Sequence, residues 1–428
     1  VSRVGALASG PTIELGPYAL TGHRLVVPLD HARPDGPALS VFAREVRMRE
    51  GPADLPWLVF LQGGPGFEAP RPVDGRGWIG RATRSHRVLL LDQRGTGNSS
   101  PVDVHRPRPA RELVHFRADA IVADAEAFRR ALAHGERWSV LGQSYGGFCA
   151  VHYLCRAPEA LHEVLITGGL PPLAPIDEVY ERTFRLMRER SLAFHARFPH
   201  LAPVVDELAR RASRGSLRLP DGEAVGVERL QQLGMELGRT SGPERLAWLF
   251  ESAFADGALD GPTTARFLRS LAEAQAYDTH PFYALLHESI YSDGPATDWA
   301  AERVRAAHPE LEWRAGEPLV LTAESIHPWM FAQYADLRPF ARTADELARH
   351  APWPRLLDRT AMAANTVPVA AAVYDEDLYV ERELSLECAA ALGNCRVWRS
   401  ATHQHDGLRE DGAAILEALF RRLGEARA

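Results

Sequence analysis

The chain contains no lysine, so every positive side chain in its 428 residues is an arginine or a histidine. Genome base composition accounts for such a bias. Cysteine is scarce: Cys149, Cys155, Cys388 and Cys395 form no Cys-x-x-Cys pair, which argues against both a metal knuckle and a disulfide framework. Free, buried thiols in a reducing cytoplasm are expected instead. No apolar run approaches the roughly 18 residues of a membrane span. Val1-Ser2-Arg3-Val4-Gly5-Ala6 lacks the apolar core of a signal peptide. Positive charge is also short, with a net charge of -7, which disfavours nonspecific nucleic-acid binding. Neither an internal repeat nor a low-complexity tract interrupts the chain. With 46% hydrophobic and 25% charged residues, a soluble globular protein with a large core is expected.

The first third reads as sheet. Arg24–Leu29 and Ala38–Val46 look like the arms of an antiparallel pair. Trp57–Leu61, Arg87–Asp92, Trp138–Leu141 and Glu163–Thr167 are continuous apolar runs, as a parallel sheet covered on both faces requires. Between two of them, Asp119–His134 has the spacing of a crossover helix (Ile121, Phe128, Leu132). From Pro171 to Ala351 the strand signals give way to amphipathic helices. One is Asp177–Arg197, with Val179, Phe184, Met187 and Leu192 on its apolar face. Strand character returns at Val367–Tyr374 and Cys395–Arg399. The predicted organisation is an α/β domain of residues 1–170 and 352–428, interrupted by a helical cap of residues 171–351.

Chemistry concentrates at Gly142-Gln143-Ser144-Tyr145-Gly146, a G-x-S-x-G turn between a predicted strand and a predicted helix. Such a turn presents a serine hydroxyl as a nucleophile. The hydroxyl needs a base, and the base needs an orienting carboxylate. In the doubly wound hydrolase arrangement the order is serine, acid, histidine. Asp375 and Asp377 both follow the strand ending at Tyr374, and His403 and His405 both follow the last strand. The residues alone leave both choices open. A His-x-His pair also suggests a metal, but no further ligand cluster accompanies it. Gln62-Gly63-Gly64-Pro65-Gly66 can turn backbone N–H groups toward the serine, with Gly64 and Tyr145 as the two oxyanion donors.

Gly63-Gly64-Pro65-Gly66, Asp92-Gln93-Arg94-Gly95-Thr96-Gly97-Asn98-Ser99, Gly142-Gln143-Ser144-Tyr145-Gly146-Gly147 and His405-Asp406-Gly407-Leu408-Arg409 together resemble the proline iminopeptidases of the α/β-hydrolase fold. The likeness is to their larger bacterial form and extends over nearly the whole chain. It implies Ser144 as nucleophile, His405 as base and Asp377 as acid. It implies removal of an N-terminal proline from peptides through an acyl-enzyme, without metal or organic cofactor. Two positions depart from the family pattern: Gln62 stands where histidine is common, and Glu381 where a proline often follows the acid.

Recognising a free imino group calls for carboxylates in a partly desolvated pocket. Glu288 in Leu285–Tyr291 and Glu324 in Leu321–Phe331 each stand among apolar and aromatic residues, and the family's cap glutamates make them the expected anchors. Gly63, Tyr291, Trp329 and Phe331 are the candidate lining of the ring pocket. The competing readings are an esterase or other acyl hydrolase with the same triad, and a noncatalytic binding protein of the same fold.

Overall fold

The computed structural model describes residues 4–52 and 54–427, so Val1–Arg3 of the N-terminal stretch lie outside the described residues. Among the described residues nine strands form one sheet, in the order β1 (Leu7–Leu15), β2 (Tyr18–Pro28), β3 (Ala38–Met48), β5 (Arg87–Asp92), β4 (Trp57–Leu61), β6 (Trp138–Gln143), β7 (Leu161–Thr167), β8 (Val369–Tyr374), β9 (Cys395–Ser400). The antiparallel part is β1, β2 and β3, with β3 continuing antiparallel onto β5. The expected pair is present: Leu25 lies opposite Val41 and Val27 opposite Leu39. β1 was not legible in the sequence. It is an almost wholly exposed edge strand, so no burial imposes apolar alternation on it.

The remaining strands, β4 to β9, are parallel. All five residues of β4 are buried because each face of the sheet is covered. Leu58 and Phe60 pack in the cluster shared with Trp78, Ile415 and Leu419. Trp57, Val59 and Leu61 pack in the other, with Ile121, Phe128 and Val151. Period-two geometry thus sends one continuous apolar run into two cores. The helices Ala118–Leu132 and Tyr145–Arg156 cover one face, and Gly412–Arg427 covers the other.

Between β7 and β8 the described residues form helices and loops, apart from two isolated bridges. The helix Ile176–Arg197 buries Val179, Tyr180, Thr183, Phe184, Met187, Ser191 and Phe194. Leu192, expected on that face, is 40% exposed instead. One residue beyond Ser191 is a turn of about 100°, which carries it off the stripe. Tyr180, Phe184, Phe250 and Leu271 of this segment belong to the same apolar cluster as one face of the sheet. The exit is fixed by buried Arg117. Its guanidinium lies 4.5 Å from the Trp353 ring centroid and donates to the carbonyls of Ser289, Ser292 and Pro354.

This topology decides where chemistry can happen. The loops following β4, β6, β7, β8 and β9 all emerge at the carboxyl edge of the parallel strands, where open α/β sheets bind their ligands. They carry Gln62–Gly66, Ser144, Gly168–Gly169, Asp377 and His405 respectively.

Candidate active site

Ser144 adopts φ 53° and ψ −126°, a conformation that a side-chain-bearing residue holds only when its surroundings impose it. Its N–H donates to the Thr167 carbonyl at 3.0 Å, and its carbonyl accepts from Gly147 N–H at 2.7 Å. The flanking glycines are required sterically. A Cβ at Gly146 would stand 1.9 Å from the Leu61 carbonyl oxygen, and one at Gly142 would stand 2.4 Å from that of Gly146. The turn therefore places Ser144 at the head of the helix Tyr145–Arg156, whose first N–H groups carry positive partial charge.

Asp377 and His405 meet. The His405 Nδ1 atom is 2.8 Å from Asp377 Oδ2 and 3.1 Å from Oδ1. Asp377 Oδ1 also accepts from the N–H groups of Tyr379 (2.9 Å) and Val380 (3.0 Å), so the carboxylate is held in a fixed orientation. Burial by itself would lower the His405 pKa. The Asp377 carboxylate, helped by Glu324 and Asp406, outweighs it and leaves the imidazole raised. The alternatives point elsewhere: Asp375 binds the Arg399 guanidinium (2.7 and 2.9 Å), and His403 bonds Ser400 Oγ at 2.7 Å.

The two-glycine turn after β7 brings the serine and the acid–base pair together. A Cβ at Gly169 would lie 2.3 Å from the Ser144 carbonyl oxygen. One at Gly168 would lie 3.2 Å from Asp377 Oδ2 and 3.3 Å from His405 Nδ1. On the opposite side, a Cβ at Gly63 would approach Ser144 Cβ to 2.8 Å, which sets the Gly63–Gly64 backbone against the serine. That loop is fixed from behind, where Gln93 Nε2 donates to the Gln62 carbonyl at 2.9 Å. Neighbouring Asp92 is fully buried and holds Arg71 and the Asn98 N–H, while buried Arg94 pairs with Asp124 at 2.7 Å. The Asp-Gln-Arg motif shapes the loops and leaves the reacting atoms to others.

In the helical segment, Tyr283 donates its hydroxyl to Glu324 Oε1 at 2.6 Å. Tyr283, His287 and Tyr291 follow one another at intervals of four, and their rings make successive contacts at 5.1 and 5.9 Å. Tyr291 reaches the Phe148 ring on the helix behind Ser144 (5.8 Å, edge-on). Burial first, and the Glu324 charge second, push the Tyr283 and Tyr291 phenols well up. The Glu324 charge is also among those that raise the His405 imidazole. Glu288 is oriented differently. Its Oε1 accepts from Ala301 N–H (2.9 Å) and its Oε2 from Ala300 N–H (3.2 Å), at the start of the helix Ala300–Arg305.

Residues 56–222 match the family model described as alpha/beta hydrolase fold. Over 418 residues the chain is 45% identical to a proline iminopeptidase of Aeromonas sobria, covering 94% of this chain and 97% of that protein. The chain belongs to the proline iminopeptidase family. A proline iminopeptidase of Aspergillus aculeatus is 32% identical over 413 residues, covering 93% of this chain and 92% of that protein. Against a Lactobacillus helveticus proline iminopeptidase, by contrast, the match covers 28% of this chain and 37% of that protein.

Sequence reasoning, including the family resemblance, missed Tyr283, His287 and the Gly168–Gly169 turn. The signal available was the Tyr283, His287, Tyr291 spacing, a single helical face. The same geometry explains Glu288, which lies one residue from His287 and so turns away from that face. Trp329 stacks on His327 (5.6 Å) and Tyr334 (6.3 Å), and Phe331 packs edge-on against Trp299 (5.7 Å). Among the described residues neither ring contacts Tyr283, His287 or Tyr291.

Burial pushes the Glu288 carboxyl up to about 7, against the lowering effect of its helix-terminal hydrogen bonds. A folded-state pKa above the unfolded one means the folded chain binds the extra proton. Its stabilising contribution is full below the unfolded carboxyl pKa and is lost as pH rises toward 7. Glu288→Gln cannot titrate. Relative to this variant, the wild type should lose roughly 3 kcal/mol of unfolding free energy between pH 4 and pH 8. Denaturant titrations of both proteins at the two pH values check this; parallel pH dependences would refute it.

Proposed function

We propose that the chain is a serine aminopeptidase that releases proline from the free N-terminus of peptides, with residues 171–351 acting as the cap over the site. The observation that carries the reading is the Asp377–His405 hydrogen bond at the same two-glycine turn that holds Ser144, with the Glu324 charge acting on His405. In this reading the Asp377 carboxylate accepts a hydrogen bond from His405 Nδ1–H and stays ionised, so Nε2 is the unprotonated nitrogen that takes the Ser144 proton. Ser144 Oγ attacks the prolyl carbonyl carbon, and the N–H groups of Gly64 and Tyr145 receive the resulting oxyanion. His405 then returns the proton to the leaving amine, and the C–N bond breaks. A prolyl ester of Ser144 remains. Water, deprotonated by His405, cleaves it and frees proline.

Glu324 is the principal anchor of the substrate imino group, beside Gly63 and Tyr291. Glu288, expected as a second anchor, is turned onto the Ala300 and Ala301 N–H groups, which leaves the anchoring to Glu324. Trp329 and Phe331 are assigned to the wall behind the ring pocket. Among the described residues no helix is long and apolar enough to cross a membrane. A cytoplasmic setting is supported by four cysteines that are all free.

The test is turnover of proline β-naphthylamide beside its N-acetylated analogue and p-nitrophenyl acetate, with Ser144→Ala as the control. Hydrolysis of the free-amine substrate and rejection of the blocked one is the expected result. Turnover of the ester alone would make the protein an esterase, and silence on all three would make it a binding protein.

A further inference from the structure

An aminopeptidase expels its product peptide from the side of the general acid, because the imidazole must hand a proton to the departing amine. Beside the His405 loop lies a cavity of about 340 Å³, walled by Thr402 and Gln404 of that loop and by the helical segment opposite. Three guanidinium groups line it, those of Arg190, Arg197 and Arg239, against one carboxylate, Glu244. Each of the three is ion-paired, so what the cavity offers is guanidinium N–H donors rather than a net positive charge.

The arginines are not exhausted by their ion pairs. Arg197 pairs with Glu244, Arg190 with Glu376, and Arg239 with Glu236 at 3.0 Å. Each guanidinium offers five N–H donors, and one carboxylate uses only some of them. The Arg197 and Arg239 side chains remain 56% and 41% exposed, so their remaining donors are open to a ligand. The wall is also tied to the catalytic loop. Thr240 donates both its N–H (2.8 Å) and its hydroxyl (2.9 Å) to Oδ1 of Asp406, the residue after His405. The arginine next to Thr240 therefore keeps a constant position relative to the base.

We propose that this cavity binds the C-terminal carboxylate of the leaving peptide, so that the enzyme favours prolyl di- and tripeptides with a free C-terminus over their amides. The inference rests on the aminopeptidase reading above. A planar guanidinium recognises a carboxylate through two parallel N–H donors, which suits a short product that ends within the cavity. A longer or amidated chain has no carboxylate to place there.

The experiment compares kcat/KM for Pro-Gly and Pro-Gly-Gly with that for their C-terminal amides, in wild type, Arg197→Gln, Arg239→Gln and the double variant. The free-acid-to-amide ratio is the readout, and any general loss of folding or catalysis cancels in it. Wild type should favour the acid by about ten-fold, each substitution should cost about three-fold of that preference, and the double variant should fall near one. The lysine variants at the same positions should retain part of the preference, and added salt should shrink it. A wild-type ratio near one, or a ratio that survives the double substitution, overturns the proposal. Turnover of proline β-naphthylamide separates the two levels. If that substrate is cleaved while the ratio is one, only the carboxylate site fails; if it is not cleaved, the aminopeptidase reading fails with it.

Discussion

Ser144→Ala and His405→Ala should each lower kcat on a prolyl substrate by about 10⁶-fold, and Asp377→Ala by about 10⁴-fold. Asp375→Ala should stay within a few-fold of wild type. The asymmetry between the two aspartates follows from their partners. Asp377 is buried, fixed by two backbone N–H groups and bonded to His405 at 2.8 Å. Asp375 makes a partly exposed ion pair with Arg399, an interaction that contributes at most about 1 kcal/mol. The pH profile supplies a second readout. The neutral imidazole is the base, and the folded protein raises its pKa. The acidic limb of kcat/KM should therefore lie above the ordinary imidazole range, with activity lost as pH falls through it. In the residual activity of Asp377→Asn that limb should move down, because the main raising charge is gone while burial still lowers the pKa. Stopped-time assays of the wild type and the five variants from pH 5 to 9 decide it. A larger loss in Asp375→Ala than in Asp377→Ala would overturn the assignment.

Glu324→Gln should reduce kcat/KM for proline β-naphthylamide by about 10- to 100-fold relative to p-nitrophenyl acetate. A charge-assisted hydrogen bond to a positive amine contributes about 1.5–3 kcal/mol, and the amide keeps the shape but loses the charge. The substitution also leaves an acceptor for the Tyr283 hydroxyl, so the pocket wall is preserved. The ratio separates the two functions that Glu324 can have. An effect on the His405 pKa alone would lower both substrates together and shift the acidic limb. Anchoring of the imino group changes the free-amine substrate selectively and appears mainly in KM. An unchanged ratio would remove Glu324 from the amine site.

Much of the architecture was written in local pattern. The apolar runs at Trp57–Leu61, Arg87–Asp92 and Val369–Tyr374 are strands because a parallel sheet covered on both faces favours apolar side chains along the strand interior, with Arg87 and Asp92 at the ends of theirs. β1 left no such trace, since an exposed edge strand is held by backbone hydrogen bonds that any side chain allows. Leu192 shows the matching limit in helices, where a stripe is legible but a single apolar residue beside it is ambiguous.

The sequence by itself determined the fold class, the family and the serine at the elbow. Those depend on spacing, on glycines that no Cβ can replace, and on strand runs with one possible environment. Spacing alone left Asp377 and Asp375 open and the family resemblance favoured Asp377; the tertiary structure adds which neighbour each carboxylate meets, His405 for Asp377 and Arg399 for Asp375. It likewise distinguished the two glutamates: a helical offset of one residue turns Glu288 to the start of another helix, while Glu324 accepts from the hydroxyl of Tyr283 in a distant segment. Such contacts join residues far apart in the chain, and no local pattern encodes them.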